Sequence, residues 1–259
     1  MSAERLRRIW SAGGAAYGAA VRLGSGWAVE VFSKSGLDFV WIDREHGLND
    51  DASLMPMLQA MNGSAAASLV RVRANEAAEI GRVLDAGSDG VIVPMVQNAS
   101  DAGAAVAATR FGQAGVRSYG SFRLRHLAGG YRRDVLCVAM VESEEGVRNA
   151  DAIAAEPGVD AIFIGPADLA LSLGLEPRGG IQPGVHADAV AAVVSACRRA
   201  GIAVGMTGDA CGLRQLGFTM ISLGADMTFL EQGLRAALAG RDAADLPPDR
   251  VPPEQDPGN

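Results

Sequence analysis

Eight short apolar segments rich in valine and isoleucine alternate with stretches of helical spacing, and this alternation limits the possible folds most strongly. Strands that read as continuous apolar runs are typical of parallel sheets buried on both faces. The predicted strands are 17–22, 38–43, 68–72, 90–94, 136–141, 161–165, 202–206 and 219–223. Over 259 residues, this order predicts a (β/α)8 TIM barrel of the α/β class.

The alternative fold is a doubly wound open sheet, which has the same alternation of elements. The glycine-rich dinucleotide-binding fingerprint does not follow the first predicted strand, and its absence disfavours a dinucleotide-binding sheet. We predict one barrel domain over residues 1–240 and a disordered tail, rich in proline and aspartate, over 241–259. Apolar residues at helical spacing predict helices at 51–61, 76–86, 100–109, 186–199 and 227–239.

Charge and hydropathy exclude two classes of partner. The net charge of −7 leaves no basic face for phosphates, so we expect no nucleic-acid partner. No segment approaches the roughly 20 apolar residues of a membrane span, so we expect no membrane partner. The residues after Arg8 are too weakly apolar for a cleavable signal. Three cysteines are too few for a disulfide framework, which favours free thiols and a cytoplasmic location.

Two carboxylates stand where predicted strands end. Glu142 directly follows the fifth strand, and Asp168 follows the sixth. In a barrel, the carboxyl ends of all strands meet at one mouth, where the chemistry is located. Two carboxylates there would suit a hard divalent cation such as Mg²⁺, Mn²⁺ or Co²⁺. Each residue also has a structural alternative, because acidic side chains are favourable at the start of any helix.

A histidine and an arginine are predicted at the same mouth, His46 after the second strand and Arg71 at the end of the third. A 2-oxo acid can chelate a divalent ion, whose charge together with Arg71 would stabilise an enolate oxygen. His46 could then move a proton. This set predicts an aldolase or lyase that joins or separates a 2-oxo acid and an aldehyde or other carbonyl acceptor. Alternatively, His46 is a plain loop residue and Arg71 a salt-bridge partner.

Two other reaction types are disfavoured. The only lysine of the chain is Lys34, in a predicted helix, so no strand end offers a Schiff-base lysine. The nucleophile elbow Gly-x-Ser-x-Gly of serine hydrolases does not occur either. Metal-assisted chemistry therefore remains the best interpretation of the polar strand ends.

At these residues the chain resembles the metal-dependent, class II pyruvate aldolases of the HpcH/HpaI family. The similar segments include the run Ile-Asp-Arg-Glu-His-Gly that ends at Gly47 and the run Ile-Gly-Pro-Ala-Asp-Leu that ends at Leu169. Further similar segments are 69–72, 91–98 and 141–143. The likeness extends from about residue 18 to residue 239, in the same order and with nearly the same spacing.

The resemblance implies a barrel, a divalent metal ion and a homo-oligomer, either a hexamer with swapped C-terminal helices or a trimer. The implied roles are metal ligand for Glu142 and Asp168, general base for His46, enolate stabiliser for Arg71, and contact with the substrate carboxylate for Gly165 and Ala167. It also implies that Asp85 raises the basicity of the histidine. The position of Asp85 at the end of a predicted helix puts it on the far side of the barrel. It could therefore act only in a neighbouring subunit's site, or else be structural.

Three departures from the family pattern concern the acceptor. Met140 stands where many members have a glutamine that contacts the substrate, and Arg44 interrupts the Asp-x-Glu-His motif. The segment 111–134, between the fourth and fifth strands, differs as well, and we expect it over the mouth. We expect these changes to alter the polarity of the pocket and to suit a specialised, biosynthetic acceptor. Two alternatives stay open: an acyl-CoA lyase of the malyl or citryl type, whose nucleotide would bind the arginines of 111–133, and a non-catalytic barrel used for binding or assembly.

Overall fold

The computed structural model describes residues 2–239, so the tail predicted at 241–259 lies outside the described residues. In this part of the chain eight parallel strands close into a barrel in chain order, and β8 pairs with β1. The strands are β1 Ala16–Val21, β2 Phe39–Asp43, β3 Ala67–Arg71, β4 Gly90–Val93, β5 Leu136–Val141, β6 Ala161–Ile164, β7 Ala203–Thr207 and β8 Met220–Ala225. The predicted (β/α)8 barrel is confirmed, and the open sheet is wrong.

Helix α1 precedes β1, and the other helices follow the strands and surround the barrel. They are α1 Ser2–Ser11, α2 Gly26–Lys34, α3 Asp51–Ala60, α4 Ala77–Asp85, α5 Ala99–Thr109, α6 Glu144–Arg148, α7 Ala150–Ala154, α8 Pro166–Ser172, α9 Val185–Ala200, α10 Ala210–Gln215 and α11 Asp226–Leu238. Three short 3-10 helices lie at Gly112–Ala114, Arg123–His126 and Gly130–Arg132. Among residues 2–239, none of these helices is long and apolar enough to cross a bilayer.

Side chains alternate between the interior of the barrel and the surrounding helices, because successive residues of a strand point to opposite faces. The interior is filled by Phe39, Trp41, Leu69, Ile92, Val138, Met140, Phe163 and Met220. The same alternation places polar side chains at the carboxyl ends of the strands. These are Asp43, Arg71 and Glu142, each two residues after an interior side chain. The barrel end at which they lie is called the mouth below, and the opposite end is called the N-terminal end.

Helix α1 closes the N-terminal end. Leu6 is 0% exposed and packs with Ala3 against residues at the starts of several strands. Around this apolar contact, the Arg5 Nη2 lies 2.6 Å from Asp38 Oδ1, and the Arg7 Nε lies 2.6 Å from Asp160 Oδ1. The arginines near the start of the chain therefore anchor an amphipathic helix to the strand starts, and this helix covers the N-terminal end of the barrel.

The segment 111–134 lies at the N-terminal end, which corrects the expectation that it covers the mouth. Helix α5 begins at the mouth and runs back along the barrel, so the chain that follows it starts at the opposite end. There Arg117 Nη2 lies 2.6 Å from Asp85 Oδ1, and Arg133 Nη2 lies 2.6 Å from Asp89 Oδ1. These arginines pair with local aspartates, so the premise for a nucleotide-binding groove near the site is wrong.

All three cysteines are free, as predicted. Cys137 and Cys197 are buried, and burial raises the pKa of each thiol to about 12. These two thiols are therefore protonated at neutral pH and pack as small apolar side chains.

Candidate active site

A buried ion pair forms the base of the mouth. Asp43 at the end of β2 and Arg71 at the end of β3 are register partners. The Arg71 Nε donates to Asp43 Oδ1 at 2.9 Å, and Arg71 Nη2 donates to Oδ2 at 2.7 Å. Burial of the 0%-exposed carboxylate raises its pKa, but the bonds and charge of Arg71 outweigh this effect, and the net pKa is lowered. The bidentate pair holds the guanidinium in one orientation.

Asp43 also organises the loop that carries His46. One oxygen, Oδ1, accepts the backbone N–H groups of Glu45 at 3.1 Å and His46 at 3.2 Å. The His46 side chain is 58% exposed, and its Nε2 lies 3.8 Å from Glu45 Oε2. Asp43 was not among the predicted site residues. A signal in the sequence could have identified Asp43: it stands two residues after the interior Trp41, and it lies opposite Arg71 on the neighbouring strand.

Glu142 is nearly enclosed at the end of β5, with 4% exposure. Its Oε1 accepts the Met95 N–H at 2.8 Å. A Cβ atom at Gly165 would lie 2.4 Å from Oε2, so only glycine fits beside this carboxylate. Burial raises the pKa of Glu142 to about 7; the Met95 bond opposes this, and the charges of Glu45 and Asp168 add to it. The carboxylate thus lies among like charges with little water.

Met95, which follows β4, is a site residue that sequence reasoning missed. Its φ is 53°, and within residues 2–239 it is the one non-glycine residue with positive φ. A side chain held in such a conformation costs about 1–3 kcal/mol and is often found at functional sites. Here the left-handed turn aims the Met95 N–H at Glu142, while the next N–H, of Val96, donates to the Met140 carbonyl at 3.0 Å. No composition or periodicity signal indicates this turn.

Asp168 lies in the first turn of α8, directly after β6, and is exposed. Its charge raises the pKa of both Glu45 and Glu142, after burial, which is the largest cause for each. Two arginines lie among these carboxylates, Arg71 and Arg22, and both pair with Asp43. Ala167 is half-buried on the same turn, next to Gly165.

The mouth fits a divalent cation, although among residues 2–239 no three His, Cys, Asp or Glu side chains form a metal-binding cluster. Glu45 Oε2 is buried without a well-formed hydrogen bond, although it lies 3.0 Å from Arg71 Nη1. Oxygen ligands from one or two carboxylates, completed by water and substrate, are typical of Mg²⁺. Glu142 and Asp168 are the side chains that would hold the ion, with Glu45 close by.

Met140 and Arg44, the two departures from the family pattern, lie on opposite sides of the barrel wall. Met140 is buried beneath the site, where its sulfur accepts from Arg71 Nη1 at 3.7 Å. Arg44 points outward, because it follows the inward-facing Asp43. Its Nη2 donates to Asp51 Oδ1 at 2.5 Å. The expectation that Arg44 changes the polarity of the pocket is wrong, because Arg44 forms a salt bridge on the outer side of the barrel wall.

Asp85 lies far from His46 of the same chain. It is the last residue of α4, at the N-terminal end, and its Oδ1 accepts from Arg117 Nη2. The other predicted site residues, His46, Arg71, Met140, Glu142, Gly165, Ala167 and Asp168, all lie at or just beneath the mouth. Asp85 could act in this chemistry only at the mouth of a neighbouring subunit.

A closed barrel with an arginine, a histidine and unbalanced carboxylates at its mouth has the arrangement of a lyase that stabilises negative charge on a carbonyl oxygen. The chain matches the model of the HpcH/HpaI aldolase/citrate lyase family over residues 23–232 and belongs to this family. The predicted family is therefore confirmed. Members of this family generally depend on a divalent metal ion.

Two curated relatives are aldolases. The hydroxypyruvate/pyruvate aldolase of Paraburkholderia phytofirmans is 35% identical over 242 residues, 86% of this chain and 91% of that protein. The 5-keto-4-deoxy-D-glucarate aldolase of Escherichia coli is 34% identical over 214 residues, 77% of this chain and 82% of that protein. The structure of an HpcH/HpaI aldolase/citrate lyase family protein from Burkholderia cenocepacia has a TM-score of 0.83 and 33% identity, covering 91% of this chain and 98% of that chain. The protein is thus a carbon–carbon lyase of the aldolase type, with small-molecule keto acid and aldehyde substrates, as predicted.

Proposed function

We propose that the protein forms or cleaves the bond between pyruvate, or a closely related 2-oxo acid, and an aldehyde or other carbonyl acceptor. The observation that carries this proposal is the crowding of carboxylates at the mouth: Glu142 lies near Glu45 and Asp168, and the charges of both raise its pKa, after burial. A divalent ion on Glu142 and Asp168, either Mg²⁺, Mn²⁺ or Co²⁺, would neutralise these carboxylates and polarise the carbonyl of the 2-oxo acid.

Arg71 is the group that meets the developing charge on the oxo oxygen. Its Nε and Nη2 are held by Asp43, so the guanidinium needs no rearrangement during the reaction. Gly165 and Ala167 would contact the carboxylate of the substrate, since the glycine leaves room beside Glu142. Met140 supports Arg71 from below, and we propose that this apolar floor belongs to a specialised acceptor.

His46 is the proposed general base. Its exposed ring lies at the rim, where it can exchange protons with solvent and reach a substrate held deeper in the mouth. The proposed function of Asp85, raising the basicity of this histidine, requires a neighbouring subunit. The observation that supports this role is the partial exposure of the Asp85 side chain beside Arg117, which leaves it accessible to a neighbouring subunit.

We propose a homo-oligomer, a hexamer or a trimer, with α11 at an interface. Large apolar side chains of α11 are exposed: Met227, Phe229, Leu230, Leu234 and Leu238. An apolar face of this kind on one helix usually marks a contact with another chain. Sedimentation velocity of the purified protein gives the subunit number directly, and a monomer at micromolar concentration would overturn this part of the proposal. The cytoplasmic location stays a prediction.

The test of the reaction is deuterium exchange into the methyl group of pyruvate, followed by proton NMR, which needs no knowledge of the acceptor. We expect exchange with Mg²⁺ or Mn²⁺, loss of exchange with EDTA, and loss in Asp168→Asn. The matched control is Asp209→Asn, because Asp209 also follows a strand but only caps α10 through a bond to Gly212 N–H. Folded, Mn²⁺-loaded protein without exchange would show that pyruvate is not the donor.

A further inference from the structure

We infer that His186, on α9, is a positioning residue. It fixes the turn between β6 and α8 and thereby keeps Asp168 at the distance from Glu142 that metal binding needs. The inference rests on the proposed function, because it concerns the same ion. It assigns a role to a buried histidine that takes no part in the proton transfer proposed for His46.

Both ring nitrogens of His186 are engaged by backbone groups. The residue is 0% exposed. Its Nδ1 accepts the Gln182 N–H at 3.2 Å, and its Nε2 lies 2.9 Å from the Pro166 carbonyl oxygen. Because an amide N–H can only donate, Nδ1 carries no proton, so the proton is on Nε2 and is donated to Pro166. The ring therefore connects the loop before α9 with the first residue of α8.

Helix α8 begins without a capping side chain of its own, as do α4 and α11. Five helices that follow strands begin with a side chain that accepts one of their own N–H groups, namely Ser25, Asp50, Asn98, Ser143 and Asp209. The N-cap of α8 is Gly165, which has no side chain, and glycine is required there by Glu142. The bond from His186 holds α8 from outside, two residues before Asp168.

The distance between the two candidate ligands therefore depends on His186. Glu142 is held on β5 by its own bond to Met95, whereas Asp168 moves with the start of α8. Losing the support of a ligand-bearing segment typically weakens metal affinity by about 10–100-fold. A histidine that served only the packing of the core would change stability and leave metal affinity unchanged.

Two substitutions separate the two bonds of the ring. In His186→Gln the longer side chain can place an N–H near the position of Nε2 and keep the bond to Pro166. In His186→Asn the shorter side chain can accept from Gln182 but does not reach Pro166. The matched control is Ser88→Ala, since Ser88 is equally buried and donates to a backbone carbonyl, but at the N-terminal end.

The measurement is the Mn²⁺ dissociation constant, obtained from the electron paramagnetic resonance signal of free Mn²⁺, together with the thermal unfolding midpoint. We expect His186→Asn to bind Mn²⁺ at least about 10-fold more weakly than wild type and His186→Gln to stay within about threefold of wild type. Ser88→Ala should lose stability at unchanged affinity. Equal Mn²⁺ affinity in the wild type and His186→Asn would overturn the inference.

A measurement on the wild type keeps the inference testable if the variants do not fold. The chain has three histidines, so the ring nitrogen signals of His186 can be assigned by NMR. We expect the Nε2-protonated form and a shift of its signals on Mg²⁺ titration that saturates with binding; signals that stay unchanged at saturation would contradict the inference. Wild-type protein that binds no divalent ion would instead overturn the proposed function.

Discussion

The two ends of the barrel carry the same residue types in opposite balance. At the N-terminal end the aspartates pair with nearby arginines: Asp38 with Arg5, Asp160 and Asp134 with Arg7, Asp85 with Arg117 and Asp89 with Arg133. At the mouth, Arg71 and Arg22 both pair with Asp43. Glu45 and Glu142 lie beside Arg71, and Asp168 adds further negative charge. The paired charges at the N-terminal end hold elements together. The surplus of negative charge at the mouth is the reason for proposing that a cation binds there.

The largest effect is expected from removing the deepest unbalanced charge. Glu142→Gln keeps the size of the side chain and the bond to the Met95 N–H. It should lower metal-dependent deuterium exchange into pyruvate by about 10³-fold, because a proposed metal ligand and its negative charge are lost. Proton NMR of the exchange measures this. The unfolding midpoint of the metal-free variant at pH 8 should be equal to or above that of the wild type. Exchange at the wild-type rate would contradict the assignment of Glu142.

Breaking a balanced pair at the mouth should reduce stability more than breaking one at the N-terminal end. Asp43→Asn removes the bidentate partner of the buried Arg71 and leaves only Glu45 beside its guanidinium, which should cost up to about 3–5 kcal/mol of unfolding free energy. The control is Asp160→Asn, since its partner Arg7 also pairs with Asp134 and is partly exposed. Urea unfolding compares the two. If Asp43→Asn lost no more unfolding free energy than Asp160→Asn, the buried pair at the mouth would not contribute more to stability than the pair at the N-terminal end.

The unbalanced carboxylate also predicts a pH dependence. Because the pKa of Glu142 is raised to about 7 from the ordinary 4.5, its contribution to stability is fully present below pH 4.5 and is lost as the pH rises through 7. The metal-free protein should lose roughly 3 kcal/mol from this group across that range. Unfolding midpoints between pH 5 and 8 test this against Glu142→Gln, which should lack the component. Identical pH profiles of the wild type and the variant would contradict the raised pKa.

The smallest expected effect on stability comes from relieving the backbone strain at Met95, near the mouth. Met95→Gly keeps the N–H that donates to Glu142 and relieves the left-handed conformation, which costs a non-glycine residue about 1–2 kcal/mol. Since glycine also loses more entropy on folding, the net gain in unfolding free energy should stay below about 1 kcal/mol. Urea unfolding measures it, with Met95→Ala as the control that keeps the strain. A marked loss of stability in the glycine variant would mean that the Met95 side chain contributes essential contacts.

The fold could be predicted because buried parallel strands read as apolar runs, and β5 was predicted at its observed bounds, Leu136–Val141. The positions of His46, Arg71, Glu142 and Asp168 at one end followed from the geometry of a barrel. Arg44 was misjudged since one residue along a strand reverses the face, and the segment 111–134 was misjudged since its end of the barrel depends on the direction of α5. The roles of Asp43 and Met95 arise from contacts between distant strands, which no local pattern contains.

Closure of the barrel by α1 has a consequence for the order of events during turnover. Leu6 and the arginine pairs around it cover the N-terminal end, so reactants and products reach the site through the mouth. With the 2-oxo acid near Glu142, as proposed, the donor lies deeper than an acceptor at the rim near His46. We therefore expect ordered kinetics, in which the oxo acid binds first and the acceptor-side product departs while the donor remains bound.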